Sequence, residues 1–117
     1  MPFMTKWLPA MALILAFSAQ AEIPEAAVWI DVRTPEEFAE GHIDDANLIP
    51  YEDIAAGVAQ LGLDKDTPIF LYCRSGRRSE IARESLEKAG FSRVTNVGGL
   101  SDALKITGQE APHMPQQ

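Results

Sequence analysis

The chain has 117 residues, enough for one domain, and its 46% hydrophobic content suits a packed globule rather than a disordered segment. Ten basic and 17 acidic side chains give a formal charge of −7, which argues against a nucleic-acid partner, because phosphate binding needs a cationic face. One cysteine, Cys73, excludes an internal disulfide.

The chain opens on "MPFMTKW", with a positive charge at Lys6, then the apolar block "LPAMALILAF" (Leu8 to Phe17) and the small-x-small site "AQA" (Ala19 to Ala21). That order is the order of a secretory signal peptide over residues 1–21, which implies export, to the periplasm in a bacterium. The alternative is a retained anchor, but the uncharged run from Trp7 to Ala21 is 15 residues, short of the ~20 that span a bilayer. Cleavage after Ala21 would leave 96 residues with 9 basic and 17 acidic side chains, a charge of −8. A lone thiol sent to an oxidising compartment is either buried and inert or kept for its reactivity.

"AVWIDV" (Ala27 to Val32) reads as a buried strand, and "TPEE" (Thr34 to Glu37) as a helix start, with Thr34 as N-cap, Pro35 first in the helix and Glu37 closing a capping box. That helix stops near Gly41, and "ANLIP" (Ala46 to Pro50) is a second short strand. Ile54, Val58 and Leu61 form a helical stripe that Gly62 ends. "TPIFLYC" (Thr67 to Cys73) is a continuous apolar run, the pattern of a strand buried on both faces. A helix from about Arg78 to Ala89 presents Ile81, Ala82, Ser85, Leu86 and Ala89 on one face, and Gly90 stops it. "RVTNV" (Arg93 to Val97) is a strand, "GG" a turn and "LSDALKI" a last short helix, while the tail, residues 111–117, shows no periodicity. Strands alternating with helices over residues 22–110 imply one α/β domain with a mostly parallel sheet of about five short strands, covered by helices on both faces.

Ligands of such sheets sit at the carboxyl ends of the strands. Cys73 holds that place, at the end of a buried strand, with "RSGRR" before the next helix. Gly76 permits a backbone turn that directs successive N–H groups inward, and the helix adds unpaired N–H groups and the positive end of its dipole. Arg74, Arg77 and Arg78 add charge. Each feature favours thiolate over thiol, and comparable surroundings lower a cysteine pKa from ~8.5 to the range ~3.5–7.5. The two histidines, His42 before the second strand and His113 in the tail, give poor support to a Cys–His pair. A buried structural cysteine beside a solvated basic patch is the plainer alternative. The strand end, the loop glycine and a local charge opposite to that of the chain together favour a reactive site. His42 is read as a turn or packing residue, and Trp29 and Phe70 as core; nothing has zinc-ligand spacing.

The loop, together with "DVRTPEEFAEGHI", resembles the rhodanese family of sulfurtransferases over nearly the whole chain after residue 21. The family loop C-x-x-G-x-R is matched by Cys73, Gly76 and Arg78. Its signature D-V-R-x-P-x-E-[FY]-x-x-G-H-I is matched by Asp31, Val32, Arg33, Pro35, Glu37, Phe38, Gly41, His42 and Ile43, and "NVGGL" (Asn96 to Leu100) resembles its late glycine pair. Asp45 and Leu48 depart from the glycine and asparagine usual after G-H-I. The resemblance is greatest to the exported, single-domain thiosulfate sulfurtransferases.

It implies that Cys73 takes the outer sulfur of thiosulfate as a persulfide and passes it to cyanide or a thiol, with no cofactor or metal. Arg74, Ser75, Gly76, Arg77, Arg78 and Ser79 would hold the persulfide or substrate, and Asp31 and Arg33 would form a supporting pair near the loop. No second cysteine can resolve the persulfide, so the acceptor, small molecule or protein, must come from outside. Two rivals stand beside this reading. One is a non-enzymatic sulfane-sulfur carrier or redox-sensing module. The other is a phosphatase or arsenate reductase, whose C-x₅-R loop is one residue longer than the C-x₄-R from Cys73 to Arg78.

Overall fold

The computed structural model describes residues 23, 24 and 26–110. The expected signal peptide and the expected disordered tail lie outside them. Among the described residues, no helix is long and apolar enough to cross a membrane.

Four parallel strands, β1 (Val28–Asp31), β2 (Asn47–Leu48), β3 (Ile69–Cys73) and β4 (Val94–Gly99), form a sheet in the order β2-β1-β3-β4. Four strands stand close to the expected five. Between them run α1 (Pro35–Glu40), a 3₁₀ turn (Tyr51–Asp53), α2 (Ile54–Leu61) and α3 (Arg77–Lys88), and α4 (Leu100–Thr107) follows β4. This is the rhodanese-like α/β architecture. β3 lies at the centre, with Ile69, Leu71, Tyr72 and Cys73 all at most 1% exposed.

Side-chain alternation along the strands builds two cores. On one face Ile30, Val32, Leu71 and Cys73 pack with Ile54 and Val58 of α2 and Ala82 and Leu86 of α3. On the other, Trp29 and Tyr72 pack with Ile43 and with Leu100 and Ala103 of α4. Trp29 meets Phe70 edge-on with centroids 5.0 Å apart, as expected of core aromatics.

Thr34 caps α1 as its spacing predicts: its Oγ1 accepts the Glu37 amide at 3.1 Å, and Glu37 accepts the Thr34 amide at 3.0 Å. Other expectations need correction. In α3 the buried positions are Ser79, Ala82 and Leu86, whereas Ile81 is exposed. The helix starts one residue early and is rotated so that Ser79, rather than Ile81, faces inward. Leu61, expected in the α2 stripe, is exposed. The "GG" read as a turn is the end of β4: a bulge passes over Val97, pairing Tyr72 with Gly98 and Cys73 with Gly99.

Candidate active site

A buried strand ends at Cys73 and the next helix begins at Arg77, so three residues must reverse the chain. Gly76 makes this possible at φ 100°, a left-handed conformation that costs a side-chain-bearing residue free energy. The reversal aims the Gly76 amide at the Cys73 sulfur, N to Sγ 2.9 Å. Burial pushes the thiol pKa up, but the Ser79 hydroxyl and the amides of Ser79, Gly76 and Ser75 outweigh it. The net shift is downward, toward thiolate.

The loop is braced from β4. Asn96 Nδ2 donates to the Gly76 carbonyl at 2.9 Å and to Glu80 at 3.2 Å, while its Oδ1 accepts the Gly98 amide at 3.0 Å. A Cβ on Gly99 would lie 2.3 Å from the Arg74 carbonyl oxygen. The glycine pair thus lets the cysteine loop lie directly on the neighbouring strand. Asp102 completes this corner by accepting the Gly99 amide at 2.9 Å.

The three arginines are not equivalent. Arg78 is spent on a bidentate pair with Glu37, at 2.9 and 3.1 Å. The Arg78 hydrogen bond is the main reason the Glu37 carboxyl is held at about 2, despite partial burial, and the Thr34 amide helps. Glu37 in turn raises the Arg78 pKa. Arg74, with its side chain 74% exposed, reaches Glu37 only at 3.8 Å. Arg77 is exposed and makes no ion pair among the described residues. One cation therefore locks the loop to α1, and two stand at its rim.

Asp31 and Arg33 do pair. Arg33 Nε and Nη2 donate to the Asp31 carboxylate at 2.9 and 2.7 Å, and Nη2 also reaches the Gly41 carbonyl at 2.7 Å. Burial opposes the Arg33 charge, but the hydrogen bonds and charge of Asp31 prevail and raise its pKa. Tyr72 lies under the guanidinium at 5.6 Å and accepts the Ile43 amide at 3.0 Å. Burial foremost holds that phenol neutral, with the Asp31 carboxylate acting the same way. Strand alternation places this cluster on the face opposite the Cys73 sulfur. It contacts the G-H-I turn through the Gly41 carbonyl and the Ile43 amide, and it adjoins the loop through Tyr72, the residue before Cys73. His42 stacks on Phe38 at 3.6 Å, with Nδ1 at 2.7 Å from the Phe38 carbonyl, in a packing position.

Glu37, Asn96 and Gly99 were not singled out as site residues from sequence. The capping box accounts for Glu37 so fully that its second partner is hidden, and only the glycine pair gives a signal on β4. No loop residue lines the hollow of about 440 Å³ at the start of β1, bounded by Trp29, Ile43 and Gln109. At the Cys73 site the Gly76 amide meets the buried sulfur, and no cluster of His, Cys, Asp and Glu able to hold a metal occurs among the described residues.

The chain is similar to known proteins along most of its length. The Rhodanese-like domain family matches residues 16–105. Thiosulfate sulfurtransferase PspE of Escherichia coli K12 is 38% identical over 92 residues, covering 79% of this chain and 86% of that protein. Thiosulfate sulfurtransferase GlpE of Pseudomonas syringae is 37% identical over 89 residues, or 76% and 82% of the two chains. A solved structure described as a rhodanese with anions from E. coli superposes with a TM-score of 0.63 at 39% identity, covering 66% of this chain and 91% of that one. With a thiol at the end of the central strand, a glycine-turned amide loop and relatives of this kind along most of its length, the chain belongs to the rhodanese-like family of sulfurtransferases.

Proposed function

We propose that the protein is a thiosulfate sulfurtransferase that carries the sulfane sulfur on Cys73. The observation that carries this reading is the Gly76 amide aimed at the buried sulfur from 2.9 Å, at the mouth of a helix N-terminus. In the first step the Cys73 thiolate attacks the outer sulfur of thiosulfate. The bond from that sulfur to the sulfonate breaks, and sulfite leaves with the electron pair. The product is Cys–S–S⁻, and charge and atoms balance without a proton or cofactor. In the second step cyanide or a thiolate attacks the outer sulfur and takes it as thiocyanate or a persulfide, returning the Cys73 thiolate.

Main-chain donors of residues 74–79 suit both states, because they are fixed before reaction and need no reorganisation. Arg74 and Arg77, exposed at the rim, would draw a dianion through the field of an acidic chain, whereas Arg78 holds the loop in shape. Cys73 is the chain's one cysteine, so the acceptor is external. The N-terminal pattern supports export and a periplasmic site of action, with the mature chain starting at Glu22.

Intact-mass measurement after thiosulfate treatment tests the reading. The protein should gain one sulfur atom and lose it to cyanide, and Cys73→Ser should gain none. Continuous thiocyanate production from thiosulfate and cyanide is expected; one round of loading followed by a stall would identify a carrier instead. The C-x₄-R ring suits one sulfur better than a tetrahedral oxyanion, so turnover of an aryl phosphate would overturn the assignment.

A further inference from the structure

The glycine that lets the cysteine loop reverse also leaves it under-determined, because glycine adopts negative φ as readily as positive. Something must hold Gly76 at φ 100° and ψ −12°, the conformation that turns its amide on the Cys73 sulfur. Helix α3 supplies one restraint, the Glu80 amide donating to the Gly76 carbonyl at 3.0 Å. Among the described residues, only one side chain from outside the loop hydrogen-bonds the backbone of residues 74–76. It belongs to β4: Asn96 Nδ2 donates to the Gly76 carbonyl at 2.9 Å. Its polarity is forced. The Glu80 carboxyl, held at about 2 by Arg83 first and Asn96 second, can only accept, and it takes the other Nδ2 hydrogen at 3.2 Å. On the opposite side, Oδ1 accepts the Gly98 amide at 3.0 Å, across the residue that the β4 bulge passes over. A packing role needs no such matching of donors and acceptor.

We propose that Asn96 is a positioning residue for the sulfur chemistry: from the neighbouring strand it locks the Gly76 turn in the conformation that presents its amide to Cys73, and so sets how readily that thiol ionises. This rests on the sulfurtransferase reading and adds a residue outside the loop that acts through Gly76 rather than on sulfur. Donors fixed before reaction stabilise an anion without reorganisation, and Asn96 maintains that condition. The other charged and titratable groups come from several elements. Arg78 of α3 pairs with Glu37 of α1, and Arg74 and Arg77 stand at the rim. Tyr51 of the 3₁₀ turn packs against the core that holds Cys73, Asp102 of α4 takes the Gly99 amide, and the Asp31–Arg33 pair lies on the opposite face. Glu80 alone among these ionisable groups bonds Asn96, so a change at residue 96 leaves the rest in place.

Asn96→Asp is nearly isosteric and can keep the Gly98 contact, but it turns a carboxylate oxygen on the Gly76 carbonyl and on Glu80. The rate of Cys73 alkylation by iodoacetamide, followed across pH, reads the thiol pKa, which should rise by about one unit or more. In the exchange variant, Asn96→Asp with Glu80→Gln, the charge added at one position is removed at the other while the Gly76 carbonyl still faces an oxygen. Most of the rise should persist. Asn96→Ala adds no charge and keeps the helix bond on the Gly76 carbonyl, so it carries the same test should the carboxylate prevent folding. Its thiol pKa should rise by about half a unit, and its rate of loading by thiosulfate should fall about two- to ten-fold at equal folded fraction, the scale of one hydrogen bond. An alkylation profile unchanged in either single variant overturns the proposal. Full recovery of the wild-type profile in the exchange variant also overturns it, because Asn96 would then serve Glu80 and not Gly76. Alkylation needs no sulfur donor, so failure of the wild type to load sulfur is a separate result and overturns the sulfurtransferase reading instead.

Discussion

Two buried polar clusters lie on opposite faces of the sheet at its carboxyl end, and they differ in what their donors face. In the Asp31–Arg33–Tyr72 cluster the carboxylate, the guanidinium and the phenol oxygen are all matched by protein partners, and the Gly41 carbonyl and Ile43 amide complete the set. In the Cys73 cradle a thiol that tends to ionise faces amides held by a glycine turn and the buried Ser79 hydroxyl. Buried charge by itself therefore does not mark the site. The closed cluster carries more formal charge and turns it on its own partners, whereas the open one turns its donors on a thiol.

The contrast predicts opposite failures. Cys73→Ser should abolish sulfur transfer while melting close to wild type, for it replaces a sulfur with a smaller hydroxyl among existing donors. Arg33→Ala should do the reverse, destabilising the fold by about 3–5 kcal/mol through an unpaired Asp31, with activity per folded molecule largely kept. Urea unfolding beside a thiocyanate assay checks both. Equal effects of the two substitutions on activity at matched folded fraction would erase the distinction between the clusters.

A sharper probe leaves every polar group in place and moves only the cradle. Gly99→Ala would set a methyl group 2.3 Å from the Arg74 carbonyl, a backbone atom that cannot swing aside. The loop must shift by more than a few tenths of an ångström. Activity should fall about 100-fold, as expected when reacting groups are misplaced by ~1 Å. The matching change outside the cradle, Gly108→Ala, meets no neighbour and should leave turnover untouched.

Glu37 links the regions, since it caps α1 and clamps Arg78. Its folded-state pKa, about 2, lies below the usual carboxylate value of 4.5. The lowered value means that its contribution to stability is fully present above pH 4.5 and disappears as pH falls through about 2. Wild type should therefore be more stable than Glu37→Gln at neutral pH, and the two unfolding free energies should converge in acid. A gap that stayed constant to pH 2 would mean that the carboxylate charge contributes nothing.

How much of this was legible in sequence follows from the range of each interaction. The strand–helix alternation, the α1 cap and the position of Cys73 depend on neighbours in the chain, and the structure places them near the expected boundaries. The division of labour among Arg74, Arg77 and Arg78 depends on Glu37, some 40 residues away, and no local pattern records which arginine it takes. The face occupied by Asp31 relative to Cys73 is set by strand register, and the burial of Ser79 by one residue of helix phase. The β4 bulge had a partial signal in its two glycines, which local reading resolves as a turn because the strand that needs them lies elsewhere in the chain.

Asp45 gives the smallest expected effect. The turn from Ile43 to Ala46 closes with the Ala46 amide on the Ile43 carbonyl at 3.0 Å, and Asp45 sits third at φ 70°. Among the described residues it is the one non-glycine with positive φ, at a position where the family signature has glycine. Such a conformation suits glycine at the third position of a type II turn. The turn adjoins the closed cluster through Ile43, and the exposed Asp45 side chain touches neither cluster. Asp45→Gly removes the Cβ penalty but adds entropy to the unfolded chain, so the net gain should be at most about 1 kcal/mol. Sulfur transfer should not change. A fall in activity without a fall in stability would mean that this turn, and the ion pair behind it, communicates with the cradle, and the separation of the two faces would fail.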